Sequence, residues 1–214
     1  MLDAFLVKRL RTPLAKMAAG LAGRGITANQ LTLAGFVFGI LAAICVALNL
    51  FWLALFGLLL NRLLDGLDGA VARQSKPTEA GAYLDIVLDF LFYALFPFAF
   101  ALRDPSDAVA AAFLLVSFVG TGSSFLAFSI FAKAHGLTNT RLQEKSIYYL
   151  EGLTEGFETI MVFVLMCLFP QWFSVLAYLF GGLCLLTTVS RIWTATRALR
   201  GISGPDPDSL SESK

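Results

Sequence analysis

Residues 31–60 read LTLAGFVFGILAAICVALNLFWLALFGLLL, and not one Lys, Arg, Asp or Glu interrupts them. One crossing of a bilayer takes about 20 apolar residues, so a charge-free stretch of 30 residues holds more than one. The rest of the chain keeps the pattern. Of 214 residues, 57% are hydrophobic and 14% charged, whereas soluble domains carry about 25% charge. A water-soluble enzyme is excluded. Because spanning segments must satisfy their own backbone groups, the expected fold is all-α: a polytopic membrane helical bundle.

Working outward, hydropathy predicts six transmembrane helices, near 31–49, 52–73, 81–102, 107–132, 153–169 and 172–197. Ahead of them, Leu2, Phe5, Leu6, Leu10, Leu14, Met17 and Leu21 recur at helical spacing among Lys8, Arg9, Arg11, Lys16 and Arg24. That pattern suits an amphipathic interfacial helix on an anionic membrane surface over residues 1–25; a solvated helix is the alternative. Those cations also break any cleavable signal core. Residues 26–200 form the six-helix domain, and 201–214, rich in Ser and Pro, reads as a disordered cytoplasmic tail. Of the 16 Lys and Arg residues, Arg103 alone falls in a connection on the side away from the N-terminus. Both termini are therefore expected in the cytoplasm. Gly35 with Gly39, and Gly152 with Gly156, form two GxxxG pairs suited to close packing within the chain or to a dimer.

The second and third spans are joined by residues that lipid does not tolerate. Asp65-Gly-Leu-Asp68-Gly69-Ala-Val-Ala72-Arg73 is followed by Gly81-Ala-Tyr-Leu-Asp85-Ile-Val-Leu-Asp89. Each carboxylate within a span costs about 2.5–3.5 kcal/mol even on the lenient scale. Asp65 and Asp68 are i, i+3, and Asp85 and Asp89 are i, i+4, so each pair shares a helical face. A turn at Pro77 matches the arms in depth, with Asp65 12 residues before it and Asp89 12 after. Four carboxylates brought together repel, and divalent cations compensate; all-oxygen ligands suit Mg²⁺ or Mn²⁺, with Ca²⁺ a third candidate. Gly69 and Ala72 keep one face low for a ligand, and Arg73 supplies a cation for a phosphate.

These two strings resemble the signature of the CDP-alcohol phosphatidyltransferase family, DxxDGxxAR…GxxxDxxxD. All eight specified residues are present: Asp65, Asp68, Gly69, Ala72, Arg73, Gly81, Asp85 and Asp89. Seven residues separate Arg73 from Gly81, one fewer than the usual pattern, a difference a hairpin loop absorbs. The resemblance extends to the six-span layout and to Asn29-Gln-Leu31-Thr32 at the start of the first span. It implies a bacterial inner-membrane enzyme of phospholipid biosynthesis. Its donor would be a CDP-linked lipid, usually CDP-diacylglycerol, its acceptor a small hydroxylated molecule, and its by-product CMP. Carried over by position, Asp65, Asp68 and Asp85 are metal ligands with Asp89 contributing, in a two-metal Mg²⁺ or Mn²⁺ site. Asp89 is also the catalytic general base. Gly69, Ala72, Arg73 and Gly81 fall on the substrate side, with room for cytidine at the small residues and a donor phosphate at Arg73. The resemblance also implies a homodimer as a possible state.

The acceptor stays open. Lys133, Arg141, Lys145 and Arg191 suit an acceptor phosphate, or serve topology; Arg191 is the best of them because it lies inside the last span. Glu151, Glu155 and Glu158 share a helical face and suit an amine or polyol, or pair with Arg62, Lys145 or Arg191 within the bundle. Asn61 and Arg62, one turn before Asp65, either orient its carboxylate or satisfy neighbours. His135 reads as solvated. Trp52, Trp172 and Trp193 fit an aromatic belt, and Cys45, Cys167 and Cys184 fall in apolar segments with no zinc or disulfide pattern. Nothing points to nucleic acid, haem or flavin. A divalent-cation transporter is the rival reading, but it gives no use to Gly69, Ala72 and Arg73, and Arg73 would hinder a cation path.

Overall fold

Thr27 and Gln30 start the first long helix. Gln30 N–H donates to the Thr27 hydroxyl at 3.3 Å, and Thr27 N–H donates to the Gln30 side chain at 2.9 Å, a reciprocal box that satisfies two otherwise orphaned donors. The computed structural model describes residues 13–75, 77–134, 154 and 156–202, and every element among them is helical. These are α1 (13–22), α2 (Ala28–Ala47), α3 (Phe51–Gln74), α4 (Glu79–Arg103), α5 (Ala108–Ala134), α6 (Gly156–Leu168) and α7 (Phe173–Ile202). Single 3₁₀ turns, Pro105–Asp107 and Pro170–Trp172, precede α5 and α7.

Two helix ends close by the same device. Asn49 takes φ 61° after α2 and Gly25 takes φ 79° after α1, the left-handed region that Asn and Gly tolerate. Leu50 N–H then returns to the Cys45 carbonyl at 2.8 Å, and Ile26 N–H to the Leu21 carbonyl at 3.1 Å, as in a Schellman motif. α4 begins at the Thr78 hydroxyl, which accepts from Gly81 N–H at 3.1 Å. Pro77, just before it, keeps α3 and α4 as two arms of a hairpin.

Four helical segments are long and apolar enough to cross a membrane: Ala28–Ala47, Glu79–Arg103, Pro105–Ala134 and Pro170–Arg200. Six were expected. α3 has the length, 24 residues or about 36 Å, but it carries Arg62, Asp65 and Asp68. α6 has 13 described residues, short of the roughly 20 a crossing needs. The outward faces are nonetheless apolar, with Trp52 78%, Val119 70% and Leu179 66% exposed, which suits lipid and not water.

Inside the bundle α2 lies against both α3 and α4, α5 lies against α7, and α3 meets α6. Phenylalanines fill the middle: Phe96 stacks on Phe163 at 4.4 Å and Phe100 on Phe173 at 4.2 Å between ring centres. Gly35 and Gly39 are used within the chain, since both are buried where α2 meets its two neighbours. Gly152 lies outside the described residues. In α1 the expected apolar stripe divides. Leu14 and Leu21 pack on Leu67, Ala70 and Val71 of α3, and Gln74 donates to the Ala15 carbonyl at 2.8 Å. Met17 faces outward. Residues 1–12 and 203–214, including the N-terminal cations before Lys16 and nearly all of the expected tail, lie outside the described residues, and α7 continues through Gly201 to Ile202.

Candidate functional site

The α3–α4 hairpin carries the carboxylates on facing turns. Asp65, Asp68 and Asp85 each bring one oxygen to a point where all three lie within 4.8 Å of one another. Together with Thr32, Asn61, Arg62 and Asp89 they line a void of about 10 Å³, the room of a single water-sized particle. Hard oxygen donors converging on so small a space fit a divalent cation such as Mg²⁺ or Mn²⁺. Among the described residues this triplet is the convergent one. Asp89 lines the same void and bonds to Arg62.

Three side chains set these orientations. Thr32 of α2 donates to Asp68 Oδ2 at 2.5 Å, a charge-assisted bond that ties the first long helix to the cluster. Arg62 donates through one terminal nitrogen to Asp89 Oδ1 at 2.8 Å, and its other reaches Asp65 Oδ2 at 3.5 Å and the Tyr93 hydroxyl at 3.4 Å. Its Nε donates to Asn61 Oδ1 at 2.7 Å, and Asn61 Nδ2 donates to the Gly35 carbonyl at 2.8 Å. Sequence reasoning offered Arg62 as an orienter of Asp65, yet its shorter bond goes to Asp89 on the next helix. Thr32 was noted only as part of the resemblance at the start of the first span, with no role, and Tyr93 was missed. Tyr93 carries a signal in hindsight, since it stands four residues after Asp89 on the same face of α4.

Of two larger cavities, one adjoins the cluster. This one, of about 510 Å³, opens beside Asp68 and Asp85, and Gly69, Ala72, Arg73 and Gly81 all line it. A methyl group added at Gly69 would meet only the tip of Arg73, at 3.3 Å, so the wall there is low. One added at Gly81 would stand 2.8 Å from the Asn29 side chain and 3.0 Å from the Thr78 hydroxyl, so that glycine also lets α4 approach the start of α2.

The other cavity, about 290 Å³, lies among α4, α5, α6 and α7 and is lined by Phe90, Tyr93, Thr121, Thr159 and Arg191 among others. Arg191 is 9% exposed, donates to the Thr121 carbonyl at 3.2 Å, and lies over the Phe125 ring at 5.6 Å. Arg191 thus belongs to a separate chamber from the carboxylate triplet, with Tyr93 in its wall. Lys133 is exposed at the end of α5, and Glu158 is half-buried at the start of α6. His135, Arg141, Lys145, Glu151 and Glu155 lie outside the described residues. Cys45, Cys167 and Cys184 are free thiols. Trp52 and Trp172 are exposed at one end of the bundle, and Trp193 is exposed under Arg197, 4.0 Å from its ring centre.

Known proteins bear on this arrangement. Residues 25–193 match the model of a family described as CDP-alcohol phosphatidyltransferase. Inner membrane protein YnjF of Escherichia coli is 51% identical over 203 residues, which is 94% of this chain and 98% of that protein. Archaetidylinositol phosphate synthase of Pyrococcus horikoshii is 39% identical over 95 residues, 44% of this chain and 50% of that one. The fold is shared with a crystal structure of Mycobacterium tuberculosis phosphatidylinositol phosphate synthase with CDP-DAG bound. The TM-score is 0.61 at 20% identity, covering 85% of this chain and 92% of that one.

Proposed function

Since this chain belongs to the CDP-alcohol phosphatidyltransferase family and is an enzyme of it, we propose that it transfers a phosphatidyl group from CDP-diacylglycerol to the hydroxyl of a small alcohol and releases CMP. The observation that carries the reading is the Asp65–Asp68–Asp85 triplet opening onto the cavity walled by Gly69, Ala72 and Arg73. Carboxylates for a metal, a cation for a phosphate and a low wall for the nucleotide lie side by side there.

Asp65, Asp68 and Asp85 would hold the divalent cation, and when bound it supplies positive charge beside the donor's pyrophosphate. Arg73 binds a donor phosphate, and the low face at Gly69 and Ala72 leaves room for the cytidine. The acceptor oxygen forms a bond to the phosphorus that bears diacylglycerol. The bond from that phosphorus to the bridging oxygen breaks, and CMP leaves with the electron pair. Asp89 takes the acceptor's proton. Arg62 engages Oδ1 of Asp89, so Oδ2 is the oxygen that receives it.

The acceptor occupies the cavity at Arg191. A buried guanidinium with threonine and tyrosine hydroxyls around it suits an acceptor that carries both hydroxyls and a negative charge. The archaeal and mycobacterial relatives are named for products that contain inositol phosphate, which fits that chemistry. In this reading α3 and α6 also cross the membrane, as the six-span layout expects, and the charged cluster of α3 is sheltered by α2 and α4.

The test is CMP release by the purified protein in detergent with Mn²⁺ and CDP-diacylglycerol. The acceptor panel is glycerol 3-phosphate, inositol, inositol phosphate, serine, choline and glycerol. We expect metal-dependent release with an anionic polyol, reduced more than about 100-fold in Asp89→Asn while donor binding survives. Undiminished turnover in that variant would remove Asp89 as the base. Folded, metal-binding protein that does not bind CDP-diacylglycerol would overturn the donor.

A further inference from the structure

We infer that Phe90 sets the size of acceptor that the Arg191 chamber admits, its ring held as a wall of that chamber by a notch at Gly122. The inference rests on the proposed acceptor, an anionic polyol bound at Arg191, and deepens it. A methyl group added at Gly122 of α5 would stand 2.4 Å from Cε1 and 3.0 Å from Cζ of Phe90. The edge of the ring thus fills space that any side chain at position 122 would need, and glycine leaves it free. Two residues earlier the same device receives the other neighbour. A methyl group at Gly120 would stand 3.0 Å from the Thr188 hydroxyl of α7.

The chamber measures about 290 Å³, and its polar groups are held in place. Arg191 is fixed by the Thr121 carbonyl and the Phe125 ring, and the Thr154 hydroxyl donates to Thr187 at 3.2 Å. Phe118, another part of the wall, belongs to the aromatic core: its ring centre lies 6.2 to 6.4 Å from those of Tyr93, Phe163 and Phe180. Phe90 is 38% exposed and stands outside that core, so shortening it widens the chamber without opening the bundle. With the anionic end of an acceptor at Arg191, this ring decides how much polyol the remaining space takes. Its place on α4 suits that work. Phe90 and Tyr93 are i, i+3 on one face, and the Tyr93 hydroxyl accepts from Arg62, which lines the carboxylate void. An acceptor bound along this face would turn its hydroxyl toward the donor past the Phe90 ring.

Two probes with a common anionic end and different polyol size test this: glycerol 3-phosphate and inositol phosphate, each titrated calorimetrically into the purified full-length protein in detergent. In Phe90→Ala the ratio of the two Kd values should shift about tenfold or more in favour of inositol phosphate, and Phe90→Leu should shift it part of the way. Arg191→Gln should weaken both probes alike, about tenfold or more, by loss of a charged hydrogen-bond donor. The seating of the ring has its own readout in the thermal midpoint. Gly122→Ala should lower the midpoint of the parent, and should leave it equal or higher in the Phe90→Ala background, where the methyl group has room. An unchanged Kd ratio in Phe90→Ala would overturn the inference, as would an equal loss of midpoint in both backgrounds. Failure of the reading beneath it looks different: the parent binds neither probe, or both still bind undiminished in Arg191→Gln.

Discussion

A methyl group added at Gly39 would stand 2.7 Å from the Phe92 ring, and one added at Gly69 would meet nothing but the mobile end of Arg73 at 3.3 Å. The first position is closed by the packing of α2 on α4, whereas the second faces the larger cavity. Gly39→Ala should therefore lower the thermal midpoint in detergent, at a cost of about 1–3 kcal/mol for overpacking, with KM for CDP-diacylglycerol unchanged. Gly69→Ala should leave the midpoint equal or slightly higher, because alanine favours a helix interior by up to about 1 kcal/mol over glycine. The donor KM should rise about tenfold in that variant, by loss of the space the nucleotide needs. Unchanged KM in Gly69→Ala would move the nucleotide to another wall. A sequence shows two glycines in helices here; only the neighbours brought by folding tell the one in tight packing from the one at the cavity wall. The same limit applies to Arg62, whose partner Asp89 lies 27 residues on. Its charge was legible in the sequence, but the direction in which its fork points was not.

Among the elements, the α3–α4 hairpin was the most legible, because each of its determinants is local. Pro77 stops one helix, Thr78 caps the next, and equal spacing from the turn brings Asp65 level with Asp89. α1 was less so, since its leucines are divided between α3 and the outside, and a stripe of apolar residues does not say which partner it will meet. The far end of the bundle held a surprise of the same kind. Arg103 pairs with Asp107 at 2.7 Å and donates to the Pro170 carbonyl at 3.3 Å, and Ser174 donates to Asp107 at 2.7 Å. The guanidinium also lies over Phe51 and Phe100. This network clasps the C-terminal end of α4 to the starts of α3, α5 and α7. It stands about 20 Å along α4 from Asp89. Asp107→Ala leaves Arg103 without its carboxylate, and we expect a loss of about 3 kcal/mol, the lower bound for a broken buried pair because the site is at a helix end. The thermal midpoint should drop while kcat and both KM values stay within about twofold. A large change in kcat would show that the two ends of α4 are coupled.

For the molecule as a whole, the membrane class was plain from residues 31–60 alone, and the acidic signature was plain because its eight residues fall within two consecutive helices. The number of crossings is harder to read, since the helix that carries the chemistry is the one whose charge count departs from a spanning pattern. Orientation follows from charge and from the substrates together. Arg24 lies at the α1–α2 turn, on the side of the α3–α4 hairpin and the carboxylate triplet. Ser106, beside the Arg103 network, lies at the opposite end, and both are exposed. In the proposed reaction the diacylglycerol tails would stay in lipid and CMP and the acceptor would be exchanged with the cytoplasm, so the hairpin end should face inward. Cysteines placed singly at these two positions test this in Escherichia coli cells, because Cys167 and Cys184 are buried and Cys45 is partly so. A membrane-impermeant maleimide should label Ser106→Cys in intact cells with a permeabilised outer membrane. It should label Arg24→Cys only once the inner membrane is opened. The reverse pattern would put the carboxylate triplet on the outer face, beyond the reach of a cytoplasmic nucleotide pool, and the proposed transfer would then need a donor delivered from outside.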